Sequence, residues 1–319
     1  MPDDAAQRSQ AGEAREVKRA RPNLLDSETL GEFWVRPDAQ NPRLTQHVRG
    51  VDQDGEPIEM PVVIERPLTI FLNDQEIVTA MTVNDYPEYL AVGFLLNQNM
   101  LHAADVIKGV DYDDELEVAV VRTRRATNYE EKLKKRTRTS GCAQGTVFGD
   151  IMESFDRIVL PEDTEIRTSW LYALTRKINQ TPSLYLEAGA IHGCVLCQGD
   201  RPLIYMEDVG RHNAVDKIAG YMFRHSIAAS DKIFYTTGRL TSEMVIKTVQ
   251  MGIPILASRS GFTAWGVELA RQAELTLIGR AKGRRFMALS GEHRIVRDTD
   301  PNDVAEEDPR HRRKGSRDA

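Results

Sequence analysis

The stretch Leu203-Ile-Tyr-Met-Glu-Asp-Val-Gly-Arg-His-Asn-Ala-Val-Asp-Lys-Ile218 carries the change of rhythm on which the fold of this 319-residue chain turns. Its first four residues form a short, bounded apolar run, the pattern of a buried strand. Beyond Gly210, the residues Ala214, Ile218 and Met222 recur at helical spacing and make one stripe. The alternation continues downstream. Apolar strands are expected around Ile233–Tyr235, Ile253–Ala257 and Leu275–Ile278, and Met244 and Thr248 share a second stripe with Val245 adjoining. One more strand is expected upstream, around Leu184. Strand–helix alternation at this spacing implies a largely parallel sheet with helices on its faces.

The first half reads differently. Val62-Val63-Ile64, Leu68–Leu72 and Ile77–Val83 alternate apolar and polar residues about Asn73-Asp74, which predicts a hairpin. A helix follows, with Asp85 as its cap, Pro87 in its first turn, and Leu90, Phe94 and Leu95 on one face. A second hairpin is expected across Asp113-Asp114, with Leu116, Val118 and Val120 on one side. The expected organisation is a smaller α+β domain over 46–160, containing Cys142, and an α/β domain over 161–290. The ends, 1–45 and 291–319, lack a period of apolar residues and read as solvated, disordered tails.

Composition narrows the class. With 42 basic and 48 acidic residues the net charge is −6, against a general binder of bulk nucleic acid. At 41% hydrophobic residues a sizeable core is available. No apolar run approaches the ~20 residues that cross a bilayer, and the first ten residues hold no apolar signal core. A soluble, cytoplasmic protein is expected. The three cysteines, Cys142, Cys194 and Cys197, point to thiol or metal chemistry rather than a disulfide framework.

Cys142 lies in Arg136-Thr-Arg-Thr-Ser-Gly-Cys-Ala-Gln-Gly145, a segment too polar for a core and bracketed by glycines. Eight Lys or Arg and two Glu between Arg122 and Arg138 give +6 just upstream. Such a field favours the nucleophilic thiolate. A hydrolase would need an imidazole base beside the thiol. A thiol carrier needs only an exposed thiolate, and that reading is favoured. The other two cysteines sit in Ala190-Ile-His-Gly-Cys-Val-Leu-Cys197. Here a buried strand with small apolar cysteines is expected. A redox pair and a zinc site on His192, Cys194 and Cys197 are the alternatives. No resident metal is expected.

Three strand ends run into helices through loops suited to anions: Glu207–Lys217, Thr236–Glu243 and Ser258–Thr263. The last two bring Arg239 and Arg259, each flanked by Ser, Thr or Gly, to helix N-termini that favour negative charge. Ligands of open α/β sheets gather at such ends. Finally, Gly279-Arg-Ala-Lys-Gly-Arg-Arg285 places four cations in seven residues, a turn suited to pyrophosphate. No Walker A or Gly-x-Gly-x-x-Gly motif is present, which disfavours a routine triphosphatase or dinucleotide oxidoreductase.

Thr139-Ser-Gly-Cys142, Glu207-Asp-Val-Gly-Arg-His-Asn-Ala-x-Asp-Lys217, Thr237-Gly-Arg-Leu-Thr-Ser-Glu243 and Ser258-Arg-Ser260 together resemble the formate dehydrogenase accessory sulfurtransferases, the FdhD family. The resemblance covers roughly residues 60–290. It implies a cytosolic homodimer whose larger domain has a cytidine-deaminase-like three-layer α/β fold without deaminase activity. It also implies a sulfurtransferase role. A cysteine desulfurase would supply sulfur, and the molybdenum cofactor, as bis(molybdopterin guanine dinucleotide), would receive it before insertion into formate dehydrogenase. Carried over by motif, Cys142 is the residue that becomes a persulfide. Arg280, Ala281, Lys282, Gly283, Arg284 and Arg285 are the cofactor-binding stretch, joined by Arg239 and Arg259. A cofactor-binding chaperone that moves no sulfur is the alternative. Many members carry a second cysteine three places after the first, where this chain has Gly145, so a two-cysteine relay within the loop is impossible. Family members often have an aromatic residue at the position of Arg280.

Overall fold

The apolar alternation in the first half forms two small mixed sheets built from antiparallel hairpins. In the computed structural model, which describes residues 15–16, 27–102, 104–124 and 148–300, strands β1 (Arg15–Glu16), β2 (Thr45–Val51) and β3 (Pro57–Val63) form one small sheet, with helix α1 (Ser27–Leu30) between β1 and β2. Strands β4 (Arg66–Leu72) and β5 (Gln75–Thr82) make the expected hairpin, turning at Asn73-Asp74 with Asn73 left-handed. They belong to a four-stranded sheet completed by β6 (Ile107–Asp113) and β7 (Val118–Thr123) in the order β5-β4-β7-β6. Helix α2 (Pro87–Asn97) packs Leu90, Ala91 and Leu95 against Leu68, Ile70 and Leu72 of this sheet.

Two local expectations in this lobe are corrected. Asp85 does not cap α2. Tyr86 occupies the cap in a left-handed conformation, and the Asp85 carboxylate reaches Lys217 instead. In β7 the residues buried against α2 are Ala119 and Val121, while Leu116 lies exposed in the turn. That turn spans 114–117, so of the expected three only Val118 and Val120 share a strand face, the one opposite α2.

The second lobe begins with α3 (Phe148–Phe155), β8 (Ile166–Arg167) and α4 (Thr168–Gln180). The strand expected around Leu184 is instead a helical turn, α5 (Leu184–Glu187). Ser183 caps it by accepting from the Leu186 amide, and the buried Glu207 carboxylate accepts from the Leu184 and Tyr185 amides. These bonds close a turn that hydropathy alone reads as a strand.

There follow β9 (His192–Gln198), β10 (Arg201–Asp208), α6 (Arg211–Arg224), β11 (Ile233–Thr236), α7 (Ser242–Gln250), β12 (Ile255–Ser258), α8 (Ala264–Gln272), β13 (Thr276–Lys282) and β14 (Arg285–Ser290). The six strands order as β10-β9-β11-β12-β13-β14. Only β11-β12-β13 pair in parallel, so the sheet is mixed and not largely parallel. Two tight hairpins explain the difference: positive-φ Gly199 and Gly283 let β10 and β14 fold straight back beside their predecessors. Helices α3, α6, α7 and α8 cover one face, and α4 covers the other.

The stretches expected as tails are partly built into the fold. Val35 bridges to Ile204 at the β10 edge, and the Trp34 amide donates to the Leu203 carbonyl. At the other end β15 (Ile295–Val296) pairs with β8, and Asp298 accepts from the Ser169 amide. No helix among the described residues is long and apolar enough to cross a membrane.

The two lobes meet along α2 and α6. A Cβ on Gly93 would lie 1.7 Å from the Asp216 carbonyl oxygen, and one on Gly220 would lie 2.0 Å from that of Tyr89. The two backbones touch directly, as glycine alone permits.

Candidate functional site at the carboxyl end of the sheet

Strand β11 ends in Thr236 and β12 in Ser258, and the loops that follow are stitched together by their own small side chains. The Ser258 hydroxyl donates to the Gly238 carbonyl at 2.6 Å and accepts from the Ser260 amide at 2.9 Å. The Leu240 amide donates to the Gly261 carbonyl, and the Thr263 amide to the Leu240 carbonyl. The Arg280 amide donates to the Ser260 carbonyl at 2.7 Å. Three loops thereby lie side by side, and each contributes one exposed cation: Arg239, Arg259 and Arg280. Arg280 holds a left-handed backbone (φ 53°) in the bulge between Gly279 and Lys282, which turns it out of the strand ladder.

The rest of the basic stretch goes elsewhere. Ala281 is buried, Lys282 pairs with Arg285 across the hairpin, and Gly283 forms the turn. Arg284 donates to the Asp300 carbonyl, beyond β15. Thus Arg280 joins Arg239 and Arg259, while Lys282–Arg285 form a separate basic tip. Cys142 and most of the basic run before it lie outside the described residues. Arg122, the first cation of that run, pairs with Asp111 on β6.

Most of the polar motif Glu207–Lys217 is structural. Asp208 accepts from the Thr82 hydroxyl and from Asn213, and Lys217 lies between Asp208 and Asp85. Asp216 pairs with Lys247 at 2.8 Å and accepts from Asn97 at 2.6 Å. Arg211 and His212, on the first turn of α6, remain at the strand ends. His212 Nε2 lies 3.2 Å from the Glu243 carboxylate on α7. Burial, then Lys247, Arg211, His192 and Arg239, push His212 down to about 2, so its imidazole is neutral. Burial and the same two arginines lower His192. A neutral imidazole whose Nε2–H donates to Glu243 leaves Nδ1 as an acceptor.

That atom is one of a group. His212 Nδ1 and Thr241 Oγ1, at the starts of α6 and α7, and the Tyr235 hydroxyl, on the α4 face of the sheet, are buried with no hydrogen-bond partner among the described residues. Buried polar atoms are normally paired, so each of these is open to a polar partner. The N-termini of α6 and α7 also lack side-chain caps, whereas Thr263 caps α8 through the Gly266 amide. Uncapped helix starts, exposed arginines and the His212 acceptor fit a phosphate-bearing ligand that also carries hydrogen-bond donors.

Sequence reading did not find Tyr185 and Asn179. The Arg259 guanidinium lies over the Tyr185 ring, 5.3 Å from its centroid, and donates to Asn179 Oδ1 at 3.4 Å. Tyr185 was hidden because its segment reads as a strand.

Cys194 and Cys197 are three residues apart on β9, and a strand sends such residues to opposite faces. Cys194 packs with Phe234 and Met244, and Cys197 with Tyr205 and Tyr235. They can neither form a disulfide with each other nor close a zinc site with His192, which corrects both alternatives. Among the described residues no cluster of three or more His, Cys, Asp or Glu is placed to hold a metal. Burial pushes the Cys194 thiol up to about 12 and raises Cys197 as well, so both are unreactive. A thiol titration with a disulfide reagent should therefore find at most one fast-reacting thiol in the folded chain and all three cysteines after denaturation. Two fast thiols in the native protein would contradict the structure.

A mixed sheet whose carboxyl end carries three exposed arginines defines an α/β protein with a cationic strand-end site. Comparison with known proteins then makes the family plain. The sequence model of the FdhD/NarQ family matches residues 63–296. A sulfur carrier protein FdhD from Listeria monocytogenes is 31% identical over 242 residues, 75% of this chain and 93% of that protein. The FdhD sulfur carrier of Bacillus pumilus is 30% identical over 74% of this chain and 90% of its own length. A crystal structure from Desulfotalea psychrophila, assigned as a formate dehydrogenase accessory protein, superimposes with a TM-score of 0.64. Its sequence is 27% identical, and the match covers 79% of this chain and 99% of that one. The chain belongs to the FdhD/NarQ family.

Proposed function

We propose that this protein is a sulfur carrier that takes sulfane sulfur from a cysteine desulfurase and delivers it to the molybdenum cofactor of formate dehydrogenase. The observation that carries this reading is the convergence of Arg239, Arg259 and Arg280 on three adjoining loops, beside buried acceptors without partners. Relatives of the chain are named sulfur carriers, and its first cysteine, Cys142, stands in a polar, glycine-bracketed motif.

The loading step balances without an oxidant. The Cys142 thiolate attacks the outer sulfur of the desulfurase persulfide. A new S–S bond forms on Cys142 as the desulfurase S–S bond breaks, and the desulfurase cysteine leaves as thiolate. Bis(molybdopterin guanine dinucleotide) is then a substrate, not a resident cofactor. Its pyrophosphates suit the three arginines and the uncapped amides of α6 and α7, and its ring N–H groups suit His212 Nδ1. Formate dehydrogenase is the partner served, and the carrier works as a cytoplasmic homodimer. The helices on both faces of the mixed sheet support the cytidine-deaminase-like three-layer reading of the larger lobe. Deaminase chemistry finds no zinc site on β9.

The test is Cys142→Ala. Incubated with a desulfurase and radiolabelled cysteine, the wild-type chain should retain label and the variant none, with formate dehydrogenase activation lost in parallel. Full activation by the variant would favour a cofactor chaperone that moves no sulfur and would end the carrier reading.

A further inference from the structure

We infer that Tyr185 and Glu207 are positioning residues for Arg259, fixing its guanidinium at the rim where the anionic substrate is held. The inference rests on the substrate reading above and names two residues of that site.

A surface arginine ordinarily samples many rotamers, and ordering it on binding opposes affinity. Arg259 is exposed, yet its guanidinium is held on two sides, by the face of Tyr185 and by Asn179 Oδ1. The support is itself supported. Tyr185 lies in the first turn of α5, a helix of four residues that has no intrinsic stability. Two bonds from one carboxylate hold that turn to the sheet. Glu207 Oε2 accepts from the Leu184 amide at 2.7 Å and Oε1 from the Tyr185 amide at 3.1 Å. Glu207 is 1% exposed and sits at the end of β10, one residue before the Asp208–Lys217 network. The chain of contacts therefore runs from a rigid strand through a pinned turn and an aromatic ring to the guanidinium. A glutamine at 207 offers one acceptor and one donor, so one of the two amides would face another N–H. The turn would loosen although the core around it keeps its shape.

The experiment is a double-mutant cycle read by calorimetric titration with guanosine diphosphate, the nucleotide end of the proposed substrate. Arg259→Gln should weaken binding about 10-fold, the loss of a charge-assisted contact. Tyr185→Leu should weaken it about 3-fold through loss of the cation–π support, while Tyr185→Phe, which keeps the ring, should stay within about 2-fold of wild type. Glu207→Gln should resemble Tyr185→Leu. In the Arg259→Gln background, Tyr185→Leu and Glu207→Gln should have no further effect, because the group they position is gone. Equal losses with and without Arg259 would mean a general structural role and would overturn the inference. So would an unweakened Tyr185→Leu alongside a weakened Arg259→Gln, a result that leaves the substrate reading intact. If Arg259→Gln binds like wild type, the placement of the substrate at this rim falls, and the positioning role falls with it.

Discussion

Gly220→Ala should destabilise the folded protein by about 3 kcal/mol, the upper range for overpacking a close contact. The added methyl would sit 2.0 Å from the Tyr89 carbonyl oxygen, a backbone atom that cannot swing aside. Helix propensity works the other way, since alanine in a helix is better than glycine by about 1 kcal/mol. The steric term wins because α2 and α6 would have to separate along their whole contact, and the two ion-pair networks beside it would open. Gly93→Ala, with its methyl 1.7 Å from the Asp216 carbonyl oxygen, should behave alike. Denaturant unfolding measures this as a fall in midpoint at unchanged slope. A Gly220→Ala midpoint equal to wild type would show that the helices do not touch as described.

Lys217→Met is the second large effect. Lys217 is completely buried, contacts Asp208 Oδ2 at 2.5 Å and Asp85, and donates to the Glu207 carbonyl at 2.9 Å. Burial alone would lower its pKa, but Asp208 and Asp85 more than offset this and raise it, so the ammonium is charged. Methionine fills similar space and leaves the buried Asp208 and the partly buried Asp85 without their cation, a loss of about 3–5 kcal/mol by the measure of broken buried pairs. The pH dependence has a definite sign. Asp85 is already raised by burial despite Lys217, and removing the cation takes away what opposes that rise. An acid with a raised folded pKa favours the folded state as pH falls, so the deficit of the variant should be smaller at pH 5 than at pH 8. A deficit that grows on acidification would refute the pairing.

These networks explain what the sequence made legible and what it did not. The strand–helix alternation from Leu203 to Ile278 was readable because each element buries one face, and periodicity reports burial. Arg239, Arg259 and Arg280 were readable as exposed cations on strand-end loops because glycine and small hydroxyl residues flank the first two, and two glycines and three further cations surround the third. Asp85, Asp208, Asn213 and Asp216 were not. A carboxylate beside a helix start looks the same whether it caps the helix or meets a lysine more than a hundred residues away, as Asp85 meets Lys217. The direction of β9, β10 and β14 was equally hidden, because hydropathy carries no sign for parallel or antiparallel pairing. Glycine turns set it locally. Tyr185 stayed out of sight because the bonds that bend its segment come from Glu207, on another element.

The opposed orientation of Cys194 and Cys197 bears on how long a sulfur atom would stay on this chain. A persulfide is discharged when a second thiol attacks its inner sulfur, giving a disulfide and releasing hydrogen sulfide. In the proposed carrier Gly145 offers no neighbouring thiol, and the two remaining cysteines are sealed on either side of a sheet with their protons firmly held. No intramolecular route exists to waste the cargo, and a loaded chain would keep its sulfur until an external acceptor arrives.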